Sequence, residues 1–295
     1  MKLVKEKAKS RLSIYLELSK LNILSLVLVS TFLGYYLAGP GIKSWSHLIL
    51  TLIGTSMTAS GSGALNHYLE RETDKQMVRT KNRPLPAGLI NPVEVLSFGV
   101  LMVLIGTTLL VSQINPLTGF IALLTSFLYI LVYTPLKKIT WLNTSIGSIP
   151  GALPIIGGWT ASSDTIGAMA WILFAMMYLW QHPHFYSIAW MCREDYAGAK
   201  LKMLPVVDSS GGSTLRQIFW HLLLMIPISI IPVIQGYLGN IYLVGVVVIT
   251  CAFFASALPL ARDMSHKNAL LLLKASVIYL PLLLFVIIID LGITI

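Results

Sequence analysis

Charge is what this sequence has least of. Only 11% of its 295 residues are Asp, Glu, Lys or Arg, and 56% are hydrophobic. An average soluble domain carries about 25% charged residues. A water-soluble fold of this size would need far more polar surface, so lipid must cover most of the exterior. Cysteine is scarce too. Cys192 and Cys251 are far apart and show no CxxC or other metal-binding spacing. Acidic groups number 12 against 21 basic ones, giving a net charge of +9. In a chain this apolar, that excess reads as topogenic charge beside the bilayer, and no nucleic-acid partner is expected. No small-residue cleavage site follows the basic start at Lys2, Lys5, Lys7, Lys9 and Arg11, so a retained cytoplasmic segment is expected. No soluble domain is apparent, and residues 1–295 are read as one transmembrane domain.

What is present is a series of long apolar runs. A spanning helix needs about 20 mostly apolar residues. Nine such stretches lie near 21–39, 46–66, 93–113, 116–134, 142–160, 165–189, 217–236, 241–261 and 269–293. Lipid offers the backbone no hydrogen-bond partners, so each must satisfy itself as a helix. The expectation is an all-α integral membrane protein, a bundle of about nine transmembrane helices. Breaks fall at Gly39-Pro40-Gly41, Asn115-Pro116 and Gly239-Asn240. Lys and Arg fix the orientation, because positive loops resist translocation. Six precede the first stretch, and clusters follow the second, fourth, sixth and eighth. The opposite loops hold only Lys43, with Lys274 just inside the ninth stretch. The N-terminus is therefore expected in the cytoplasm and the C-terminus outside.

Two loops on the positive side are too polar to be mere connectors. The first spans Asn66 to Pro84. Asn66, Glu70 and Asp74 are spaced by four, which places them along one helix face. Three oxygen donors in a row suit a hard divalent cation such as Mg²⁺, which proteins usually hold with one or two carboxylates plus phosphate oxygens and water. Arg79, Lys81 and Arg83 follow, with Arg71 and Lys75 interleaved. Cations beside a carboxylate-held metal match the needs of a diphosphate. A solvated helix end with surface ion pairs is the rival reading, and it accounts poorly for Asn66.

The second run ends the sixth stretch with Trp180-Gln181-His182-Pro183-His184-Phe185 and continues through Glu194-Asp195-Tyr196 to Met203-Leu204-Pro205-Val206-Val207. Polar groups inside a membrane are costly and point to function. Pro183 is expected to kink the helix and open a cavity. His184 has three open readings: a haem-iron ligand, a partner for a substrate carboxylate, or a link to a neighbouring helix. Glu194 and Asp195 offer a second acidic cluster at the same membrane face. A third run, Tyr133-Thr134-Pro135-Leu136-Lys137-Lys138, adds Lys137 as a phosphate-binding candidate and Lys138 as a topogenic charge. Gly147, Gly151, Gly157 and Gly158 in the fifth stretch read as close-contact positions between helices.

These runs together resemble the UbiA-type intramembrane prenyltransferases, and among them the haem-farnesylating branch, the haem O synthases. The first acidic motif of that superfamily matches as Asn66-x3-Glu70-x3-Asp74. Branch features match as Asp74-x2-Met77-x-Arg79-Thr80 with Asn82-Arg83-Pro84, Tyr133-Thr134-Pro135-Leu136-Lys137, Asn143-Thr144, Pro150-Gly151-Ala152-Leu153-Pro154, Trp180-Gln181-x-Pro183-His184-Phe185 and Met203-Leu204-Pro205-Val206-Val207. The likeness covers the chain from about residue 15. Glu70 stands where many members have Asp and keeps the charge. His184 lies near where the earlier aspartate of the second motif falls in quinone-type members.

The resemblance implies transfer of a farnesyl group from farnesyl diphosphate to a vinyl group of haem B, with Mg²⁺ as cofactor. It implies catalytic roles for Asn66, Glu70, Asp74 and Asp195, and metal contacts from Asn66, Glu70, Asp74, Glu194 and Asp195. Arg79, Lys81, Arg83 and Lys137 would bind diphosphate. His184, Gln181, Tyr133 and Asn143 would meet haem. A cell-membrane location with the site facing the cytoplasm follows, as does a haem A synthase or an oxidase assembly factor as a downstream partner. Two rivals stay open at this point. One is a prenyltransferase acting on an aromatic quinone precursor or other lipid acceptor. The other is a haem or lipid transporter, against which stands the carboxylate-and-arginine cluster.

Overall fold

The computed structural model describes residues 9–39, 41–42 and 44–293, and the described residues contain helices and no strands. Lys2, Lys5, Lys7, Pro40 and Lys43 lie outside the described residues. A short helix α1 (Arg11–Leu18) bends by 54° into α2 (Leu21–Leu37). The hinge residue Lys20 adopts a left-handed backbone, φ 52°. Then come α3 (Trp45–Asp74), α4 (Pro92–Gln113) and α5 (Pro116–Phe127). A π-helical segment, Leu128–Tyr133, leads into the single turn α6 (Thr134–Leu136). After it run α7 (Asn143–Ser163), α8 (Ala168–Met191), the short α9 (Arg193–Gly198) and α10 (Leu204–Val207), and finally α11 (Gly212–Ile234), α12 (Asn240–Arg262) and α13 (His266–Ile293).

Among the described residues, long helical rods lie over each of the apolar stretches, in line with a bundle of about nine. Six are long and apolar enough to cross a membrane by composition, and the bent α1–α2 pair makes a seventh. The other two rods are α7 and α8. Their glycines, prolines and polar groups lower their apolarity, and neighbours bury much of both. Neighbouring helices supply polar partners that lipid cannot, so a buried rod accommodates such groups readily. Large apolar side chains such as Leu104, Phe120, Val244 and Phe285 are exposed on the outer helices, as expected of a surface solvated by acyl chains.

Local chemistry sets the helix ends. Asn91 and Asn115 accept hydrogen bonds from the N–H of Val93 (2.9 Å) and Thr118 (2.7 Å), and Pro92 and Pro116 open the helices that follow. Asn caps and Pro at the first helical position both exploit N–H groups that have no partner within the helix. Pro135 explains the π segment. It cannot donate to the carbonyl four residues back, and its ring crowds that carbonyl. The helix widens just before it, and the Thr134 N–H and hydroxyl both donate to the Tyr129 carbonyl five residues back, the hydroxyl at 2.8 Å. Pro183, by contrast, does not end α8, which continues as helix through it; the expected kink does not take the form of a break.

Packing divides the bundle. α2 lies close against α7, α3 against α4, and α5 against both α4 and α7, while α8, α11, α12 and α13 pack in sequence and α13 returns to α8. The α2–α7 contact is backbone to backbone: a Cβ on Gly158 would stand 1.8 Å from the Thr31 carbonyl oxygen, and one on Gly34 would stand 2.0 Å from that of Ile155. The loops after α3, α6 and α8 gather at one end of the bundle. Lys202 N–H donates to the Lys137 carbonyl at 2.7 Å, and Met77 packs with Ala189, Leu201 and Met203. The lysines and arginines counted in those loops therefore share one end.

Candidate active site

The oxygen row stands on the last turns of α3. This helix runs on to Asp74, beyond the apolar stretch ending at 66, so Asn66, Glu70 and Asp74 share one continuous face. Asn66 and Asp74 are fully buried. Each donor meets one cation. Arg83 binds both oxygens of Asp74, at 2.8 and 3.0 Å. Lys137 donates to Glu70 Oε1 at 2.6 Å, with only 15% and 13% of the two side chains exposed. Lys20 donates to Asn66 Oδ1 and, at 3.2 Å, to the Tyr129 hydroxyl. The Asn66 amide completes its contacts by donating to Thr134 Oγ1 at 2.9 Å.

The π segment accounts for much of this placement. Tyr129, Tyr133 and Lys137 follow each other by four and line the side facing the row. The Lys137 ammonium lies 4.6 Å above the Tyr133 ring. Burial alone would disfavour its charge, but the Glu70 carboxylate outweighs that, aided by Tyr133 and Tyr129, and holds the Lys137 ammonium above the ordinary lysine range. Two carboxylates face Arg83 and Lys137, with the part-buried Lys20 amine beside them, and Arg79 and Lys81 at the rim bring an excess of positive charge. Such an excess suits an anion of two or more charges.

The remaining candidates divide. Arg79 and Lys81 are exposed on the loop after α3. Arg79 donates to the Tyr196 hydroxyl at 3.4 Å and lies over that ring. Burial raises the Tyr196 phenol above its usual range, so it stays a neutral donor and acceptor. Asp195 reaches the same loop but meets its backbone: its two oxygens accept the N–H groups of Val78 (3.1 Å) and Arg79 (3.2 Å). It tethers the loop that carries the arginines and does not join the oxygen row. Glu194 is exposed and also stands apart. Among the described residues no group of three or more His, Cys, Asp and Glu side chains gathers as a metal cage.

Gln181 and Asn143 are buried, and each spends its amide donors on backbone. Gln181 donates to the carbonyls of Ser148 (3.1 Å) and Met177 (3.0 Å). Asn143 donates to those of Thr140 (2.6 Å) and Lys202 (3.0 Å). Both tie structural elements together through these donors. Tyr133 belongs to the oxygen row through Lys137. His184 sits apart on α8, stacked 5.0 Å from the Trp180 ring and bonded to Ser276. Lys20 and Tyr129 are the site residues that the sequence reading missed. A lysine ahead of an apolar run looks topogenic, and only the α1–α2 bend turns Lys20 inward.

A family model described as the UbiA prenyltransferase family matches residues 27–285. The chain belongs to the UbiA prenyltransferase family. Curated relatives extend the match over nearly the whole length. A protoheme IX farnesyltransferase of Solibacter usitatus is 41% identical, with 94% of this chain and 98% of the relative aligned. One of Salinibacter ruber is 42% identical over the same shares. Solved structures agree on the fold. A digeranylgeranylglyceryl phosphate synthase superposes with a TM-score of 0.80 at 19% identity, over 95% of this chain and 98% of that one. A UbiA homologue of Archaeoglobus fulgidus bound to GPP and Mg²⁺ gives a TM-score of 0.63 at 17% identity, over 93% and 99%. Membership agrees with the family resemblance read from the motifs.

Proposed function

We propose that this chain transfers a farnesyl group from farnesyl diphosphate to a vinyl group of haem B, making haem O. The observation that carries the diphosphate half is the buried row of Asn66, Glu70 and Asp74 matched by Lys20, Lys137 and Arg83. Full-length similarity to protoheme IX farnesyltransferases supports the haem half. The donor set fits Mg²⁺: it is all oxygen, holds two carboxylates, and needs substrate oxygens to complete a coordination shell. Asn66, Glu70 and Asp74 would hold the ion, which when bound neutralises charge on the leaving diphosphate.

The residues of this chain do the rest. Arg83, Lys137 and Lys20, with Arg79 and Lys81 at the rim, stabilise the negative charge that grows as the allylic C–O bond breaks and its electron pair leaves on diphosphate. The vinyl π electrons form the new bond to farnesyl C1. The resulting cation beside the porphyrin takes the oxygen of a water molecule, which then releases a proton to leave a hydroxyl. Asp195 keeps the Arg79 loop in place. His184 is the candidate on the haem side. The charge distribution supports a cell-membrane protein with a cytoplasmic N-terminus and with this chemistry on the cytoplasmic side. A haem A synthase or an oxidase assembly factor would receive the product.

The test is purified protein in lipid nanodiscs with farnesyl diphosphate, haem B and Mg²⁺, reading haem O by mass and diphosphate release in parallel. Glu70→Ala and Asp74→Ala should abolish both signals. Full activity in either variant removes the metal-diphosphate role. Diphosphate release with an aromatic quinone precursor but not with haem B removes the acceptor assignment.

A further inference from the structure

We infer that His184 grips the porphyrin substrate by its iron, with Nε2 as an axial ligand, and that Ser276 of α13 is the positioning residue that makes this possible. This deepens the proposed function and rests on it for the identity of the porphyrin. The argument starts from one proton. The Ser276 hydroxyl has a single hydrogen, and it is donated to the Leu273 carbonyl at 2.6 Å. Its oxygen can therefore only accept from His184 Nδ1, 2.8 Å away. Nδ1 carries the hydrogen, and Nε2 of the neutral ring is left with a lone pair. No hydrogen bond to Nε2 occurs among the described residues, whereas Trp180 stacks on the ring and donates its own Nε1–H to the Ser276 carbonyl at 2.9 Å. Ring plane, tautomer and partner helix are all fixed, which is the arrangement that orients metal-binding histidines.

This decides between two roles for His184. A neutral ring whose only N–H is spent on Ser276 has nothing to donate to a substrate carboxylate, but it offers a lone pair to a metal. The neighbouring histidines are poorer candidates. His182 donates Nδ1–H to the Tyr178 carbonyl (2.8 Å) and engages Ser145 through Nε2 (3.2 Å), so both nitrogens are occupied. His221 donates Nδ1–H to the Gln217 carbonyl (2.7 Å), so its Nε2 also keeps a lone pair, but its ring lies face to face on His182, with centroids 3.6 Å apart, and it lacks the serine on a second helix that fixes His184. The substrate class that follows is an iron-bearing porphyrin, and the metal-free porphyrin should bind without help from His184.

The experiment is haem binding to purified protein in nanodiscs without farnesyl diphosphate, read by the Soret band, electron paramagnetic resonance and affinity. His184→Gly should shift the Soret band, remove the imidazole-type signature and weaken haem binding at least tenfold, and added imidazole should restore the signature. Ser276→Ala should weaken haem binding about 10- to 100-fold, as other losses of outer-shell partners do, and Ser276→Thr should restore it. Protoporphyrin IX lacking iron should bind all these variants and the parent alike, and His221→Ala should leave the spectrum unchanged. An unchanged Soret band and affinity in His184→Gly overturns the inference, as does equal weakening of iron-loaded and metal-free porphyrin. Should His184→Gly fail to fold, His184→Met, which retains bulk, must still change the ligand-field spectrum. Haem O formation is measured separately, so loss of the farnesyl-transfer reading and loss of the iron-ligand reading register in different assays.

Discussion

Replacing Lys137 by Met probes an enclosed ion pair of the site. The ammonium and the Glu70 carboxylate are 2.6 Å apart and about seven-eighths buried. At an effective dielectric of about 20, their mutual attraction is about 6 kcal/mol before desolvation. Desolvating each ion costs several kcal/mol, so the pair's net contribution is small. Removing only the cation is different, because it strands a buried carboxylate, a change that costs about 3–5 kcal/mol. Lys20 and Arg83 also act on Glu70, so the lower end, about 3 kcal/mol, is expected. Glu70→Gln alone leaves Lys137 over the Tyr133 ring and should cost less. In the double variant neither charge is stranded, and the cycle should show a favourable coupling of about 2 kcal/mol. Equilibrium unfolding in lipid nanodiscs or mixed micelles measures all four proteins. Losses that add to within about 0.5 kcal/mol would refute the reasoning, since additivity is what independent sites show.

The other predictions concern loop, helix contact and pH. Asp195→Asn should speed amide hydrogen exchange over residues 77–83 and leave the α3 core protected; unchanged exchange there would remove its tethering role. Gly158→Ala should destabilise the bundle by about 3 kcal/mol or more, because a methyl cannot fit against the Thr31 carbonyl. Gly198→Ala, where the space is open, should stay within about 0.5 kcal/mol, and equal effects of the two on melting would count against the close α2–α7 contact. For Lys137 the folded pKa lies above the unfolded one. Its stabilising contribution is thus complete below about pH 10, the unfolded value, and lost only as pH rises through the folded value. Coupling in the Lys137–Glu70 cycle should be the same at pH 7 and pH 9, and a marked decline by pH 9 would contradict the raised value.

The sequence alone determined the membrane architecture, because a charge content this low has no solution in water and each apolar run must close its own hydrogen bonds in lipid. It also determined the row of Asn66, Glu70 and Asp74, since a spacing of four has one meaning on a helix. Residues acting through their own helix were legible for that reason. Tertiary structure decided everything that depends on which helix lies opposite. It turned Lys20 inward through the α1–α2 bend, set Asp195 on the backbone of a loop more than a hundred residues away, and spent Gln181 and Asn143 on carbonyls. It also gave His184 a serine on the last helix that fixes its proton. Such pairings join positions far apart in the chain, and a side chain's free donor or lone pair is known only once its partners are known.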